Sequence, residues 1–413
     1  MRKRRKLPPK VRQNPEGAAA LSQEVKPSKG YTEKIIPGSI DLPFFIIIII
    51  LLVLGIVMMF SASFAIAINE TGDGLYYVKR QMLFAGIGLV GMFIAAKFDY
   101  HHFKKTWMAY GIFIIALALL VIVLILPSGR EDDFKRWINL DIGGTNFGFQ
   151  PSEIMKFALI IIFSYIISAN YSRMNKFKYG VLPFILILGL VAVLVLAEHH
   201  LSGTVIICFI GFVMIFVGGA KISHLGGVLA AGLTALVAGL LYLISIGKFD
   251  YVTSRIASWL DPFNPESMAN STWQTCQSLI TIGSGGLFGL GLGNSRQKYM
   301  YLPEAENDFV FSIICEELGF IGAMMVIILF ALFIFRGFYL ASKSPDKFGM
   351  MLAVGITVQI GIQALLNIAV VTNSMPNTGI SLPFFSYGGT ALIMQLTEMG
   401  VLLNISRQSV IET

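Results

Sequence analysis

Residues 43–68 read PFFIIIIILLVLGIVMMFSASFAIAI, without one ionisable side chain. A run longer than the ~20 residues that cross a hydrocarbon core leaves its backbone no water to bond with, so in a membrane it is restricted to a helix or a closed barrel. The run is too long for a signal-peptide core and lacks a small-residue cleavage site, and it is read as a retained first helix. Comparable apolar runs follow at about 82–97, 107–126, 152–169, 180–197, 203–220, 222–247, 308–335, 348–371 and 387–406, each within reach of a span once tilt is allowed. The expected fold is an all-α integral membrane protein of about ten transmembrane helices. Composition excludes a soluble domain: 13% of residues are charged and 55% apolar, against about 25% charged in ordinary globular chains.

Orientation follows from lysine and arginine, which are retained on the cytoplasmic side. MRKRRK at the start, then Lys104, Lys105, Arg173, Lys176, Lys178, Lys343 and Lys347, fall on one side of a ten-helix count. Both termini are therefore expected in the cytoplasm, with residues 248–308 as a large extracytoplasmic loop between helices 7 and 8. Residues 1–40 form a basic, Pro-containing tail that carries most of the net charge of +7. It is expected to be disordered and to meet anionic lipid rather than nucleic acid. The membrane domain covers 41–408, with a short cytoplasmic end at 409–413. The three cysteines, Cys208, Cys276 and Cys315, suggest no disulfide framework.

Asp308 stands where the outer loop meets the next apolar run. An ionisable group at such an edge is a functional candidate, because desolvation can raise a carboxylate toward the pKa of a working base. Eight residues on, Glu316 lies about 12 Å along a helix, too far to share one reacting bond with Asp308. Glu316 and Glu317 need partners inside the bundle, and Lys156 is the cation considered for them. Lys156 also lies one turn beyond Glu153, so a local salt bridge and a pyrophosphate site are both open to it.

The loop carries six glycines from Gly283 to Gly293, but no G-K-[ST], and for the glycines alone a flexible linker skimming the membrane is the simpler reading. Arg296, Lys298 and Arg255 suit either a phosphate-bearing lipid head group or ordinary snorkelling to the interface. The charge-free segment 373–390, NSMPNTGISLPFFSYGGT, breaks helices while staying apolar, which argues for a packed, shaped loop rather than a simple outer turn. The adjacent His199 and His200 diverge and lack a third ligand, so helix-end histidines at the outer surface suffice for them.

Taken together, FSAS (60–63), YYVKRQ (76–81), FQPSEIMK (149–156), QSLITIGSGGLFGLGLGNSRQKYMYLPE (277–304), DFVF (308–311) with EELG (316–319), and PNTGISLPFFSYGG (376–389) resemble the SEDS family. These are the membrane glycosyltransferases of shape, elongation, division and sporulation. The likeness covers everything after the basic tail and is closer to the FtsW and SpoVE branch than to RodA. It implies ten spans, cytoplasmic termini, and a catalytic aspartate at Asp308. Glu153 and Lys156 fall on the family's PSE-x-x-K positions, and the expected substrate-binding set is Glu153, Lys156, Arg255, Arg296, Lys298, Glu304 and Ser386. Arg136, Glu316 and Glu317 are expected to be structural or to line a pathway.

The implied activity is polymerisation of lipid II into β-1,4 glycan, with a class B penicillin-binding protein and divisome or elongasome proteins as partners. A lipid II flippase and a non-catalytic scaffold for the transpeptidase are the alternatives. A divalent cation, Mg2+ or Mn2+, could assist, although no ligand set for it is visible. Three departures from the family pattern stand out. EHHLSGT (198–204) replaces Gln-Pro-Asp-Leu-Gly-Thr, which puts His200 near the aspartate position and casts doubt on any role of that carboxylate. GREDDFKRW (129–137) keeps only Arg136 and Trp137 of Asn-Gly-Ala-Arg-Arg-Trp. Asn307 replaces the usual threonine.

Overall fold

A computed structural model describes residues 38–126, 136–142, 145–245, 259–264 and 272–408. The tail to residue 37, Arg255 and residues 409–413 lie outside the described residues. In chain order the helices are α1 (Leu42–Thr71), α2 (Tyr76–Lys97), α3 (Thr106–Ile125), α4 (Pro151–Asn170), the single turn α5 (Phe177–Gly180), α6 (Leu182–Ala197), α7 (Leu201–Val217), α8 (Ile222–Ser245), α9 (Trp273–Ser284), α10 (Val310–Lys343), α11 (Lys347–Val371) and α12 (Gly389–Gln408). Each apolar run of the sequence has its helix. Among the described residues seven are long and apolar enough to cross a membrane. Of the others, α7 has 17 residues, and α12 buries Gln395, Glu398, Asn404 and Ser406.

Helix ends follow local chemistry. Asp41 caps α1 by accepting from the Phe44 amide at 2.9 Å, with Pro43 in the first turn. Pro151 opens α4, where its missing N–H costs nothing, and Asp346 caps α11 through the Gly349 amide at 2.9 Å. Polarity then sorts the helices. The spanning windows of α4 and α11 are 72% and 78% buried, against 28% for α2 and α3. The inner pair carries Lys156, Gln359, Gln363 and Asn367, side chains that hydrocarbon would leave without hydrogen bonds.

The all-helical expectation has one small exception. β1 (Ile138–Ile142) and β2 (Thr145–Phe149) form an antiparallel hairpin with Ile138 opposite Phe149. Two five-residue runs separated in sequence by two glycines are a hairpin pattern that a helix-centred reading passes over.

The glycine-rich segment is not the flexible linker expected of it. α10 is broken at Gly319 (φ 67°, ψ −167°), and the segment after α9 fills the break. Leu290 and Gly291 donate their amides to the Glu316 and Glu317 carbonyls at 2.9 and 3.0 Å. Phe320 and Ile321 donate to Gly286 and Leu287 at 2.9 and 3.2 Å. The backbones approach so closely that a Cβ on Gly319 would stand 2.3 Å from the Gly289 nitrogen, and one on Gly289 would stand 2.2 Å from the Glu317 carbonyl. One face of α9 packs alongside, with Ser278 bonded to Ser312 of α10 at 2.8 Å and to the Val371 carbonyl of α11 at 2.7 Å. From residue 272 onward, much of the outer loop is therefore part of the packed bundle.

Candidate active site

Asp308 lies two residues before α10, and its backbone is fixed from two sides. Asn367 on α11 donates to the Asp308 carbonyl at 2.7 Å and to the Ile380 carbonyl at 2.6 Å, tying the Asp308 segment to the loop after α11. Ser386 donates to the Asn307 carbonyl at 2.5 Å, and the Tyr387 amide to the Glu306 carbonyl at 2.9 Å. Gly379, at φ 65°, presents its bare backbone to the carboxylate, and a Cβ there would lie 3.1 Å from Oδ2. Ile380, Leu382, Phe384 and Phe385 are buried. The loop is the packed wall its composition suggested.

The Asp308 side chain is partly exposed. Burial pushes its pKa up to about 6, the Glu304 charge adds to this, and Arg136 opposes it. Glu304 is exposed and accepts from Asn307 at 2.6 Å. Between them, Glu306 is 5% exposed, and its Oε2 has no hydrogen-bond partner among the described residues. Burial holds Glu306 up at about 7, with Glu304, Glu70 and Asp308 adding to the shift. Sequence reasoning passed over Glu306. Its signal was the alternation Glu304, Glu306, Asp308 in PEAEND.

A third carboxylate, Glu198, closes α6. It is fully buried with neither oxygen partnered among the described residues, and burial raises it to about 8 against the pull of Arg136. Of the two histidines expected at the surface, His199 is exposed but His200 turns inward. His200 Nδ1 lies 3.4 Å from Ser152 Oγ and 3.5 Å from Gln150 Nε2. Burial, helped by Arg136 and Lys156, lowers the ring to about 3, so it is neutral. Arg136 donates to the His199 carbonyl, so it links the start of the hairpin to the end of α6, and its charge acts on Asp308, Glu198 and His200 alike.

Two other groups of candidates are held elsewhere. Lys156 is buried in its i,i+3 pair with Glu153 at 2.8 Å and donates to Gln363 at 3.1 Å. It is not the partner of Glu316 or Glu317. Lys298, expected at the interface beside Arg296, points inward instead. Its ammonium is 3.0 Å from Glu317, 3.1 Å from Ser61 and 2.6 Å from the Gly293 carbonyl. The long lysine stem can reach water or a buried carboxylate equally well, and a carboxylate at the base of α10 decides it. Glu316 takes the Ser295 hydroxyl and the Arg296 amide, and the Arg296 side chain is exposed. Among the described residues no three His, Cys, Asp or Glu side chains gather to hold a metal ion.

The profile of the FtsW/RodA/SpoVE family, described as a cell cycle protein, matches residues 42–411. A probable peptidoglycan glycosyltransferase FtsW of Geobacter sp. (strain M18) is 40% identical over 359 residues, 87% of this chain and 94% of that one. Stage V sporulation protein E of Bacillus subtilis (strain 168) is 40% identical over 373 residues, covering 89% and 97%. Among solved structures, one described as a peptidoglycan synthase complex that coordinates polymerization and crosslinking superposes with a TM-score of 0.71 at 25% identity, over 89% of this chain and 98% of that one. The rod shape determining protein RodA of Thermus thermophilus superposes at 0.63 over 90% and 98%, also at 25% identity. From α1 through α12 in sequence, and across the bundle in structure, this chain belongs to the FtsW/RodA/SpoVE family of multi-pass membrane proteins.

Proposed function

We propose that this chain is a peptidoglycan glycosyltransferase that polymerises lipid II into β-1,4 glycan strands at the outer face of the cytoplasmic membrane, with Asp308 as its general base. Outside the cell there is no nucleotide to drive polymerisation, so the donor arrives already activated by its undecaprenyl pyrophosphate. The 4-hydroxyl oxygen of the accepting GlcNAc attacks C1 of the donor MurNAc. The new O4–C1 bond forms as the C1–pyrophosphate oxygen bond breaks, with inversion. The hydroxyl proton passes to Asp308, and undecaprenyl pyrophosphate leaves with the bonding electrons.

The observation that carries this reading is the state of Asp308. Its backbone is clamped by Asn367, its carboxyl is partly open, and a pKa of about 6 leaves it mostly ionised at neutral pH yet basic enough to accept a proton. Negative charge on the departing pyrophosphate needs a cation. Lys156 and Lys298 are each bound to a carboxylate, whereas Arg136 already acts on Asp308, and Arg255 belongs to the same outer stretch. Among the described residues no three His, Cys, Asp or Glu side chains gather, so a divalent ion taking part would be held largely by the pyrophosphate itself. A class B penicillin-binding protein is the partner this reading implies, both termini lie in the cytoplasm, and the basic tail meets anionic lipid.

The test is reconstitution with purified lipid II in detergent. The native chain lengthens glycan there and Asp308→Asn does not, although it folds. A chain that only changes the leaflet exposure of lipid II in sealed vesicles is a flippase. One that activates a partner transpeptidase equally well with Asp308→Asn is a scaffold.

A further inference from the structure

The YYVKRQ block has no part in the chemistry above, yet it is built against the loop that holds the Asp308 segment. Tyr77, near the start of α2, meets Tyr387 edge to face with ring centroids 4.9 Å apart, and Tyr76 meets Tyr77 in the same way at 5.3 Å. All three rings are half-buried. They are held from several sides. The Tyr77 hydroxyl donates to Glu70 at 2.5 Å, Arg80 donates to the Tyr76 hydroxyl at 2.7 Å, and Gln81 donates to the Ser386 carbonyl at 3.2 Å. The Tyr387 amide is bonded to the Glu306 carbonyl, so the aromatic face and the catalytic segment are one construction. Glu306 adds a buried oxygen without a protein partner among the described residues. Such an atom in a native fold calls for a ligand or water to satisfy it.

Charge around the rings is mixed: the carboxylates of Glu70 and Glu304 act on Glu306, while Arg80 is bonded to the Tyr76 hydroxyl and acts on Tyr387. At Glu306 itself the acids prevail, so a sugar hydroxyl rather than a phosphate oxygen suits its unpartnered Oε2. An uncharged ring with hydroxyls on its rim and C–H bonds on its face matches half-exposed aromatic rings beside one hydrogen-bond acceptor. We infer that Tyr77, Tyr387 and Glu306 form the subsite for the accepting saccharide, the sugar whose hydroxyl Asp308 deprotonates. This rests on the glycosyltransferase reading, because a base must lie within hydrogen-bond reach of the hydroxyl it deprotonates. Glu306, two residues from Asp308, binds a second hydroxyl of the same sugar.

Donor and acceptor can be made separate molecules to test this. Lipid II capped on its GlcNAc 4-hydroxyl serves only as donor, and a GlcNAc–MurNAc disaccharide without pyrophosphate serves only as acceptor. With the full-length chain in detergent, Tyr77→Leu and Glu306→Gln each raise the acceptor KM about tenfold, leave kcat within about threefold and leave the donor KM unchanged. Tyr77→Phe, which keeps the ring, stays within about twofold of the native acceptor KM. Native melting temperatures for Glu306→Gln and Tyr77→Phe show that folding is not what moved. An active native chain whose acceptor KM is unmoved in both Tyr77→Leu and Glu306→Gln, or whose donor KM rises instead, overturns the subsite alone. A native chain that joins no donor to acceptor overturns the glycosyltransferase reading and the subsite with it.

Discussion

Two acid-rich clusters flank the start of α10, and they are built on opposite rules. In the inner one every carboxylate is answered. Glu317 accepts from Ser61, from the Gly293 and Ser295 amides and from Lys298, while Glu316 accepts from Ser295 and the Arg296 amide. In the outer one, Glu306 Oε2 and both Glu198 oxygens have no partner among the described residues, and burial raises Asp308, Glu306 and Glu198 alike. An unanswered buried carboxylate is costly to ionise, so it holds its proton more readily and is poor material for a scaffold. The same property suits proton transfer and ligand binding. The comparison separates residues that fix the architecture from residues that the architecture holds ready.

The sharpest way to break that contrast is Asp308→Asn. Polymerisation of lipid II is expected to fall by about 10²–10⁴, the usual worth of a general base, with no change in melting temperature. Retained activity would put Asp308 among the structural acids. On the other side, Glu317→Ala strands the Lys298 ammonium, which is 3% exposed. It should lower stability by about 3–5 kcal/mol, the usual cost of breaking a buried pair, measured by denaturation in detergent. An unchanged midpoint would show that the inner cluster is not a lock.

The pH profile sharpens the outer half. As the proposed general base, Asp308 would act when deprotonated, and with its pKa raised to about 6 its contribution is expected to be present above that value and lost as pH falls through it. kcat should drop about tenfold per pH unit below about 6. A profile already level at pH 5 would mean that another group supplies the base. The smallest effect is a control at the opposite end of the bundle. Lys104 meets Asp346 at 3.0 Å with side chains 46% and 23% exposed, and Lys104→Ala should cost under about 1 kcal/mol and no activity.

Hydropathy located the long apolar helices, though not α9, which lies inside the stretch read as outer loop. The run 43–68 became Leu42–Thr71, and 348–371 became Lys347–Val371, because an apolar segment of spanning length has one way to satisfy its backbone. Asp308 stood out as a candidate for a related reason, as a charge at the border between two solvents. The inner lock was legible only in part. Glu316 and Glu317 had to have partners, but the 3.6-residue period says nothing about a loop returning from upstream, and so Lys156 was considered where Lys298 sits. Glu306 left only the alternation in PEAEND, because its burial arises where the Tyr387 amide closes on its carbonyl, and nothing in the local sequence marked the burial of Glu198 at the end of α6. The glycine run was misjudged because its order depends on a helix break at Gly319 that leaves no mark in the apolar pattern.

That break also bears on how the protein is made. The segment that seals α10 precedes it in the chain, so Gly286–Gly291 reaches the membrane before Phe320 and Ile321 exist to bond with it. Until α10 has been synthesised, the backbone groups of that segment that end on Glu316, Glu317, Phe320 and Ile321 have only water for partners, so the segment takes its final shape after the helix it seals.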